Sequence, residues 1–257
     1  AFRQNVETRD IKFVDFQIKA SAADRNEIVK EMNDLQKQLS TAADPATIIS
    51  KSGSEIPYIG LPVSSKAYQQ YPDIASKIDS LAVGTTGVTE NKQDNTLNII
   101  RVLSKEQLPD SVQFRQIQVA ASTADEARVK ADSIQKALAG GADFEALAKR
   151  YGQTAEKVWF TGQQYEFAPT MSQDNRTFVN ALLNGEVNAT QNLALAQGNI
   201  ILQVLDKKAM TTKTTAAVIK KLIDFSKNTR SNAYNKFSEF VAKNTTVTEL
   251  EKNAAKA

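Results

Sequence analysis

The feature that most constrains the fold of this chain is an internal repeat with a period of roughly 100 residues. Residues 11–18 alternate between apolar and polar side chains, and residues 112–119 repeat that alternation, which indicates a β-strand in each copy. A run at helical spacing follows each strand. The matching apolar positions are Ile28, Met32, Leu35 and Leu39 in the first copy and, 99 residues later, Ala127, Ala131, Ile134 and Leu138 in the second. The chain therefore contains two copies of one strand–helix pattern.

Polar residues mark where the helices of each copy begin. Asp24 and Thr123 each precede a glutamate by three residues, which is the spacing of a capping box. A second, shorter helix is predicted after Asp44 in the first copy and after Asp143 in the second, because both aspartates are well placed as N-caps. Each copy should therefore contain two consecutive helices.

An apolar strand closes each copy, at residues 97–103 and 199–205. Between the copies, residues 104–110 contain Pro109 and charged side chains without periodicity, which is typical of a linker. The sequence therefore predicts one domain at residues 1–107 and a second at residues 108–210.

The tail, residues 211–257, begins the pattern a third time. Residues 218–223 predict a strand, and Tyr234, Phe237 and Val241 form one face of a helix that we expect to pack on a partner surface. The predicted fold class is α+β: two tandem domains, each a small antiparallel sheet with surrounding helices, plus a partial third strand–helix–helix unit. This unit either docks on the second domain or is completed by residues outside the chain.

The composition excludes several classes of function. The chain contains no cysteine and no histidine, so disulfides, thiolate nucleophiles and imidazole chemistry are ruled out. The net charge is only +3 and the charges are scattered, which argues against a nucleic-acid partner. No metal site or cofactor is predicted, and no apolar run approaches the ~20 residues that span a bilayer. Because the chain opens at Ala1 without a signal-like segment, we interpret it as a piece of a longer protein.

The second copy carries four stretches with a family-specific pattern. They are Phe-Arg-Gln-Ile-Gln-Val at 114–119, Gly-Gly-Ala-Asp-Phe at 140–144, Leu-Leu-Asn-Gly-Glu-Val at 182–187, and the closing strand at 198–207. These stretches resemble the parvulin family of peptidyl-prolyl cis/trans isomerases, in the tandem arrangement of periplasmic chaperones of the SurA/PpiD type. The resemblance implies a parvulin fold and unfolded or partly folded polypeptides as clients. It also implies a location in the bacterial periplasm, with a tether to the inner membrane through a segment absent from this chain.

The resemblance also identifies functional positions that have lost their family residues. The family places two histidines back to back at the floor of the proline pocket and a phenylalanine in the groove. The positions are held by Asp15, Asn98 and Asp79 in the first copy, by Gln116, Ile200 and Asn180 in the second, and for the first histidine by Lys220 in the tail. Isomerisation depends on selective binding of a twisted amide, and polar side chains bring water into such a pocket. We therefore expect little or no isomerase activity.

Aromatic residues and a methionine concentrate where a parvulin places its substrate groove. The candidates for client binding are Trp159, Phe160, Tyr165, Phe167, Met171 and Phe178 in the second copy and Tyr58, Tyr68 and Tyr71 in the first. Exposed and clustered, these side chains would favour a client-binding folding factor, which is the reading we prefer. Buried in both copies, they would favour a structural spacer within a larger chaperone. An active isomerase is the third reading.

Overall fold

The structure is a computed structural model that describes residues 13–254. These residues divide into two compact units. The central unit comprises residues 34–221, and the terminal unit comprises residues 13–33 together with 222–254.

Within residues 13–254 the chain forms helices and strands in an order that follows the repeat. The helices are α1 (Ala22–Thr41), α2 (Ala46–Ser52), α3 (Pro72–Ser80), α4 (Ala124–Ala139), α5 (Phe144–Arg150), α6 (Gln173–Asn184), α7 (Lys227–Lys243) and α8 (Val247–Asn253). The strands are β1 (Thr86–Asn91), β2 (Thr96–Val119), β3 (Val158–Thr161), β4 (Thr190–Leu195) and β5 (Gly198–Leu222), and short 3-10 helices cover Ser65–Tyr68 and Gly162–Gln164. The α+β class is therefore confirmed.

Two long neighbouring strands organise the central unit. β2 has 24 residues and β5 has 25. Side-chain hydrogen bonds join Ser104 to Thr215 at 3.2 Å and Arg115 to Gln203 at 2.8 Å, so β5 residue numbers fall as β2 numbers rise. The two strands are therefore antiparallel and carry the sheet from one copy to the other.

Short strands extend the sheet at its edges. The strand order is β1-β2-β5-β4, and β3 also pairs with β2. β1 pairs with Thr96–Arg101, β3 with Ser111–Phe114 and β4 with Gly198–Gln203, all in the antiparallel sense. The two copies thus share one five-stranded antiparallel sheet in the described chain.

The predicted helix faces are largely buried. Ala127, Ala131 and Ile134 of α4 are at most 2% exposed and pack in a cluster that includes Ile117 and Phe144. In α1, the matching residues Met32 and Leu39 are buried, while Ile28 and Leu35 are half-buried. The second copy buries its helical face more completely.

The helix caps confirm two predictions and correct a third. The Thr123 hydroxyl accepts a hydrogen bond from the Glu126 N–H at 3.2 Å, and the Asp143 carboxylate accepts one from the Ala146 N–H at 2.7 Å. At α1 the predicted Asp24–Glu27 box is wrong. Ser21 and Asp24 form it instead, since the Asp24 carboxylate accepts from the Ser21 N–H at 2.7 Å and Ser21 Oγ accepts from the Asp24 N–H.

The predicted linker at residues 104–110 is wrong, because these residues continue β2 as extended strand. Pro109 is tolerated there since β1 ends its pairing at Arg101 and β3 begins at Ser111, which leaves no ladder bond to lose on that edge. Of the predicted strand at 218–223, residues 218–222 form the end of β5 rather than a separate strand, and Ile223 lies just beyond it. The expected boundaries at 107/108 and 210/211 fall within β2 and β5, and the tandem division into domains stays a prediction.

Residues 13–18, the described part of the predicted first strand, are not a strand of any sheet. In the terminal unit their Phe16 ring lies 5.8 Å from the Phe237 ring of α7. Tyr234 is 68% exposed and Val241 44% exposed, so within residues 13–254 Phe237 is the most deeply packed member of the predicted helix face. The Asp24 carboxylate also accepts a hydrogen bond from Thr229 Oγ1 at 2.6 Å, which fixes the start of α7 to the start of α1.

Candidate functional site

In the second copy, the two positions that the family fills with histidine hold Gln116 and Ile200. Gln116 on β2 is half-buried, and its Oε1 has no hydrogen-bond partner among the described residues. Ile200 on β5 packs against an apolar cluster that includes Phe114 and Leu202. Neither side chain can gain or lose a proton at physiological pH. The pair therefore offers no general acid or base.

In the first copy, Asn98 occupies the second histidine position and is completely buried on β2. Its Nδ2 donates to Asp73 Oδ2 at 3.0 Å, and Oδ1 has no partner among the described residues. Asp15, expected beside it, belongs to the terminal unit and is exposed. Because the two residues belong to different units, the pairing of Asp15 with Asn98 stays a prediction.

Lys220 of β5 lies in a network with residues of the first copy. Its Nζ contacts Glu55 Oε2 at 3.0 Å and Asp94 Oδ2 at 2.9 Å, and Thr96 Oγ1 donates to the other Asp94 oxygen at 2.7 Å. Burial raises the pKa of Asp94, but the hydrogen bonds from Thr96 and Lys220 outweigh it and hold the pKa below its usual value. Burial lowers the pKa of Lys220, but hydrogen bonds to both carboxylates outweigh it and raise the pKa. The network stays charged.

The two groove-phenylalanine positions are exposed. Asp79 lies near the end of α3, where its carbonyl oxygen accepts a hydrogen bond from Lys105 Nζ at 2.9 Å. Asn180 lies on α6, and its carbonyl oxygen accepts from Asn184 Nδ2 at 3.1 Å. Neither position supplies an apolar wall for a bound proline.

The aromatic candidates of the second copy separate into packed and exposed side chains. Phe178 packs edge-on against Phe114 at 5.5 Å between ring centroids, and the half-buried Phe160 stacks on Tyr165 at 5.8 Å. Trp159 is 37% exposed, with Lys208 Nζ 4.5 Å from its ring centroid. Phe160 and Phe178 thus serve the core, whereas Trp159 lies on the surface of β3.

Tyr165 lies in a buried polar cluster that joins the two copies. Its hydroxyl donates to the Pro62 carbonyl oxygen at 2.7 Å, and Lys213 Nζ lies 3.2 Å from the hydroxyl. Lys213 Nζ also forms an ion pair with Glu166, whose carboxylate accepts from Ser64 N–H at 3.1 Å and from Ser64 Oγ at 2.6 Å. Burial, followed by the negative charges of Glu166 and Asp110, raises the pKa of Tyr165, so this hydroxyl remains a donor.

Gly162 is required by this cluster. A Cβ at this position would lie 2.6 Å from Asp110 Oδ1, 2.8 Å from Glu166 Oε1 and 2.9 Å from Lys213 Nζ. Only glycine therefore leaves room for the three charged groups, of which Lys213 is fully buried.

The remaining candidates meet in a groove between the copies. One cavity of about 290 Å³ lies between residues 56–71 and residues 166–169, and its lining includes Tyr68, Tyr71 and Phe167. A second, of about 490 Å³, includes Tyr58, Met171 and Arg176. The two cavities share Ile56, Pro57 and Pro169, so they form one continuous inter-copy groove.

The walls of the inter-copy groove are mostly apolar, and Phe167 is 57% exposed. Burial, followed by the Tyr58 charge, raises the pKa of Tyr68 to about 12, and burial is the largest cause that raises the pKa of Tyr58. Both tyrosines therefore present neutral hydroxyls. Arg176 Nε donates to the Ile59 carbonyl oxygen at 2.8 Å, which links α6 to the opposite wall. The groove is thus pre-formed and able to hold an extended polypeptide.

Reasoning from the sequence did not identify the charged cluster that holds this groove. Ser64, Glu166 and Lys213 are single polar residues in unrelated stretches, and their partners lie 47 or more positions away. The sequence contained a weak signal for the groove in its prolines. Pro57 directly precedes the candidate Tyr58, and Pro169 follows the candidate Phe167 by two residues.

Comparison with known families decides what the second copy is. Residues 97–208 match the family model described as PPIC-type PPIASE domain. This segment is a parvulin-type domain. No curated protein and no solved structure matched the chain. The parvulin-type domain thus includes both Gln116 and Ile200, as the sequence resemblance indicated.

In residues 13–254 no helix combines the length and apolar character needed to cross a membrane. No group of three or more carboxylates within the same range is placed to hold a metal ion.

Proposed function

We propose that this chain is a folding factor of the parvulin type whose inter-copy groove binds extended, apolar segments of unfolded polypeptides. The observation that carries the proposal is the convergence of aromatic candidates from both copies, Tyr58, Tyr68, Tyr71 and Phe167, on one open groove. Aromatic side chains supply large contact area at a small entropic cost, and Met171 adds an adaptable surface. Such walls suit clients that differ in sequence.

The proposal includes weak or absent isomerase activity. Gln116 and Ile200 offer no group that titrates near neutral pH, and Phe160 and Phe178 are engaged in packing within the parvulin-type domain. Each tenfold acceleration of isomerisation requires about 1.4 kcal/mol of selective stabilisation of the transition state. A site that is filled and polar should therefore accelerate isomerisation little.

The second candidate function is prolyl isomerisation itself, which the family match favours. It requires no covalent step, so the absence of histidine does not abolish it on chemical grounds alone. The periplasmic location and inner-membrane tether are further proposals, and the resemblance to periplasmic chaperones is their support.

The groove is tested by truncating its most exposed aromatic residue. Binding of a reduced, carboxymethylated polypeptide that cannot refold is measured by fluorescence anisotropy for the parent chain and for Phe167→Ser. We expect about a tenfold loss of affinity, because a buried phenylalanine contributes about 1.5–3 kcal/mol. The matched control is Tyr151→Ser, since Tyr151 is 41% exposed on the same unit but lies outside the groove.

An unchanged affinity in Phe167→Ser, or an equal loss in Tyr151→Ser, would place client binding elsewhere. Absence of binding by the parent chain would remove the chaperone proposal altogether.

A further inference from the structure

The terminal unit contains an extended segment, residues 13–18, that has no strand partner among the described residues. Residues 13–18 make no backbone–backbone hydrogen bond to any described residue. Their side chains nevertheless alternate: Phe13, Asp15 and Gln17 are exposed, while those between them are half-buried. This is the pattern of a β-strand with one covered face and with its backbone donors and acceptors unused.

An apolar cavity lies beside this segment. It has a volume of about 560 Å³ and is lined by Val14, Phe16 and Ile18 of the segment and by Tyr234 and Phe237 of α7. Phe237 packs on Phe16, whereas Tyr234 is 68% exposed. The cavity therefore provides an apolar floor next to an unpaired strand edge.

The second copy shows what lies against the equivalent strand. Residues 112–119 carry the same alternation, and within β2 they lie next to β5, which begins with the closing strand at 199–205. The closing strand of the first copy, residues 97–103, is likewise held within β2, where it pairs with β1 and also lies next to β5. Neither closing strand in the described chain is free to pair with residues 13–18.

We propose that residues 13–18 are the acceptor edge for a β-strand supplied by a second polypeptide. The strand would carry apolar side chains at alternate positions, as the two closing strands do, and would place them in the cavity while its backbone pairs with the open edge. Arg230 is the charged residue of the lining, so an acidic side chain at one end of the strand is favoured.

A peptide with the sequence of residues 198–207, Gly-Asn-Ile-Ile-Leu-Gln-Val-Leu-Asp-Lys, serves as the probe. It is titrated into the full chain labelled with ¹⁵N, and amide exchange is followed for residues 13–18. We expect saturable binding and slowed exchange at alternate residues of the segment, since successive N–H groups of a strand point to opposite edges. Two kinds of matched peptide complete the design, one N-methylated at alternate residues and one with its aspartate changed to lysine.

The N-methylated peptide is made with each of the two alternating sets of residues in turn. The set whose donors pair with the edge should no longer slow exchange at residues 13–18, and the lysine peptide should slow it only at several-fold higher concentration. In the protein, Tyr234→Ser removes an exposed part of the lining without disturbing the core, and we expect a several-fold loss. Phe167→Ser, in the inter-copy groove, should show the same slowed exchange at residues 13–18 as the parent does, whatever its effect on peptide binding in the groove. This readout distinguishes strand pairing at residues 13–18 from client binding in the inter-copy groove.

Equal protection of residues 13–18 by both N-methylated peptides would show that the backbone edge is not used and would overturn the proposal. Failure of the unmodified peptide to slow exchange at residues 13–18 would also overturn it. So would protection confined to β2, which would mean that the peptide displaces β5.

Discussion

At the scale of single residues, a buried ion pair between Lys213 and Glu166 lies beside the inter-copy groove. The Lys213 side chain is 0% exposed and that of Glu166 is 2% exposed. A charge in such a place is tolerated only while its partner remains, because desolvation is costly. The pair therefore holds the loop at 162–169 against the loop at 62–64.

Replacing Lys213 by methionine should leave Glu166 as an uncompensated buried charge. We expect a loss of about 3–5 kcal/mol in the free energy of unfolding, measured by chemical denaturation. The control is Lys208→Met, because Lys208 has a 63% exposed side chain and its ion pair with Asp206 contributes little. Equal stability of the two variants would contradict the role assigned to the pair.

The hydrogen-bonded carboxylate of Asp24 should make the stability of the terminal unit depend on pH. Hydrogen bonds from Ser226, then from Thr229 and Ser21, hold the pKa of Asp24 well below its ordinary value of 3.8. A carboxyl group with a lowered folded-state pKa stabilises the fold fully above its unfolded-state value, and that stability is lost as pH falls below it. The protection of the α7 amides, measured against their intrinsic exchange rates at the same pH, should therefore fall below about pH 4.

The matched variant for this pH effect is Asp24→Asn, which lacks the titrating group. Its α7 amides should be less protected than those of the parent at pH 7. Acidification should then lower their protection by less than it does in the parent. A parent chain whose α7 exchange responds to acid no differently from that of the variant would show that Asp24 is not responsible.

At the scale of elements, individual helices and strand segments were predictable from the sequence, but the continuity of the long strands was not. The alternation at 112–119, the face at Ala127, Ala131 and Ile134, and the caps at Thr123 and Asp143 are local signals, and the structure confirms them. The continuity of β2 through Pro109 could not be read locally, because it depends on β5 lying alongside and on the gap between β1 and β3. Long-range pairing overrides a local breaker here.

The packing of α7 gives a prediction at the same scale. Phe237 is the residue of α7 that stacks on Phe16, so Phe237→Ser should accelerate amide exchange throughout Lys227–Lys243 while the central unit is unchanged. Tyr234→Ser is the control, since Tyr234 is largely exposed and should change exchange little. Comparable acceleration in both variants would show that the Phe16 contact does not anchor the helix.

At the scale of the whole molecule, the candidate site arises from residues that neither copy holds alone. Gln116 and Ile200 could be assigned to family positions from the sequence because they lie inside motifs that resemble the family, and this assignment stays a prediction. The inter-copy groove was not identifiable, because Tyr68 and Phe167 are almost 100 residues apart and are brought together by long-range contacts such as the cluster around Glu166 and Lys213. Its composition was predicted, but its location was not.

Client binding without catalysis can be tested in one NMR experiment on the labelled chain with an unstructured peptide that contains a single X–Pro bond. Chemical-shift changes locate the peptide on the chain, and exchange spectroscopy follows cis/trans interconversion of its proline bond. We expect shifts within residues 56–71 and 166–171, with interconversion remaining at its uncatalysed time of tens of seconds near room temperature. Interconversion accelerated by roughly a hundredfold or more, with shifts centred on Gln116 and Ile200, would contradict this and identify a working isomerase.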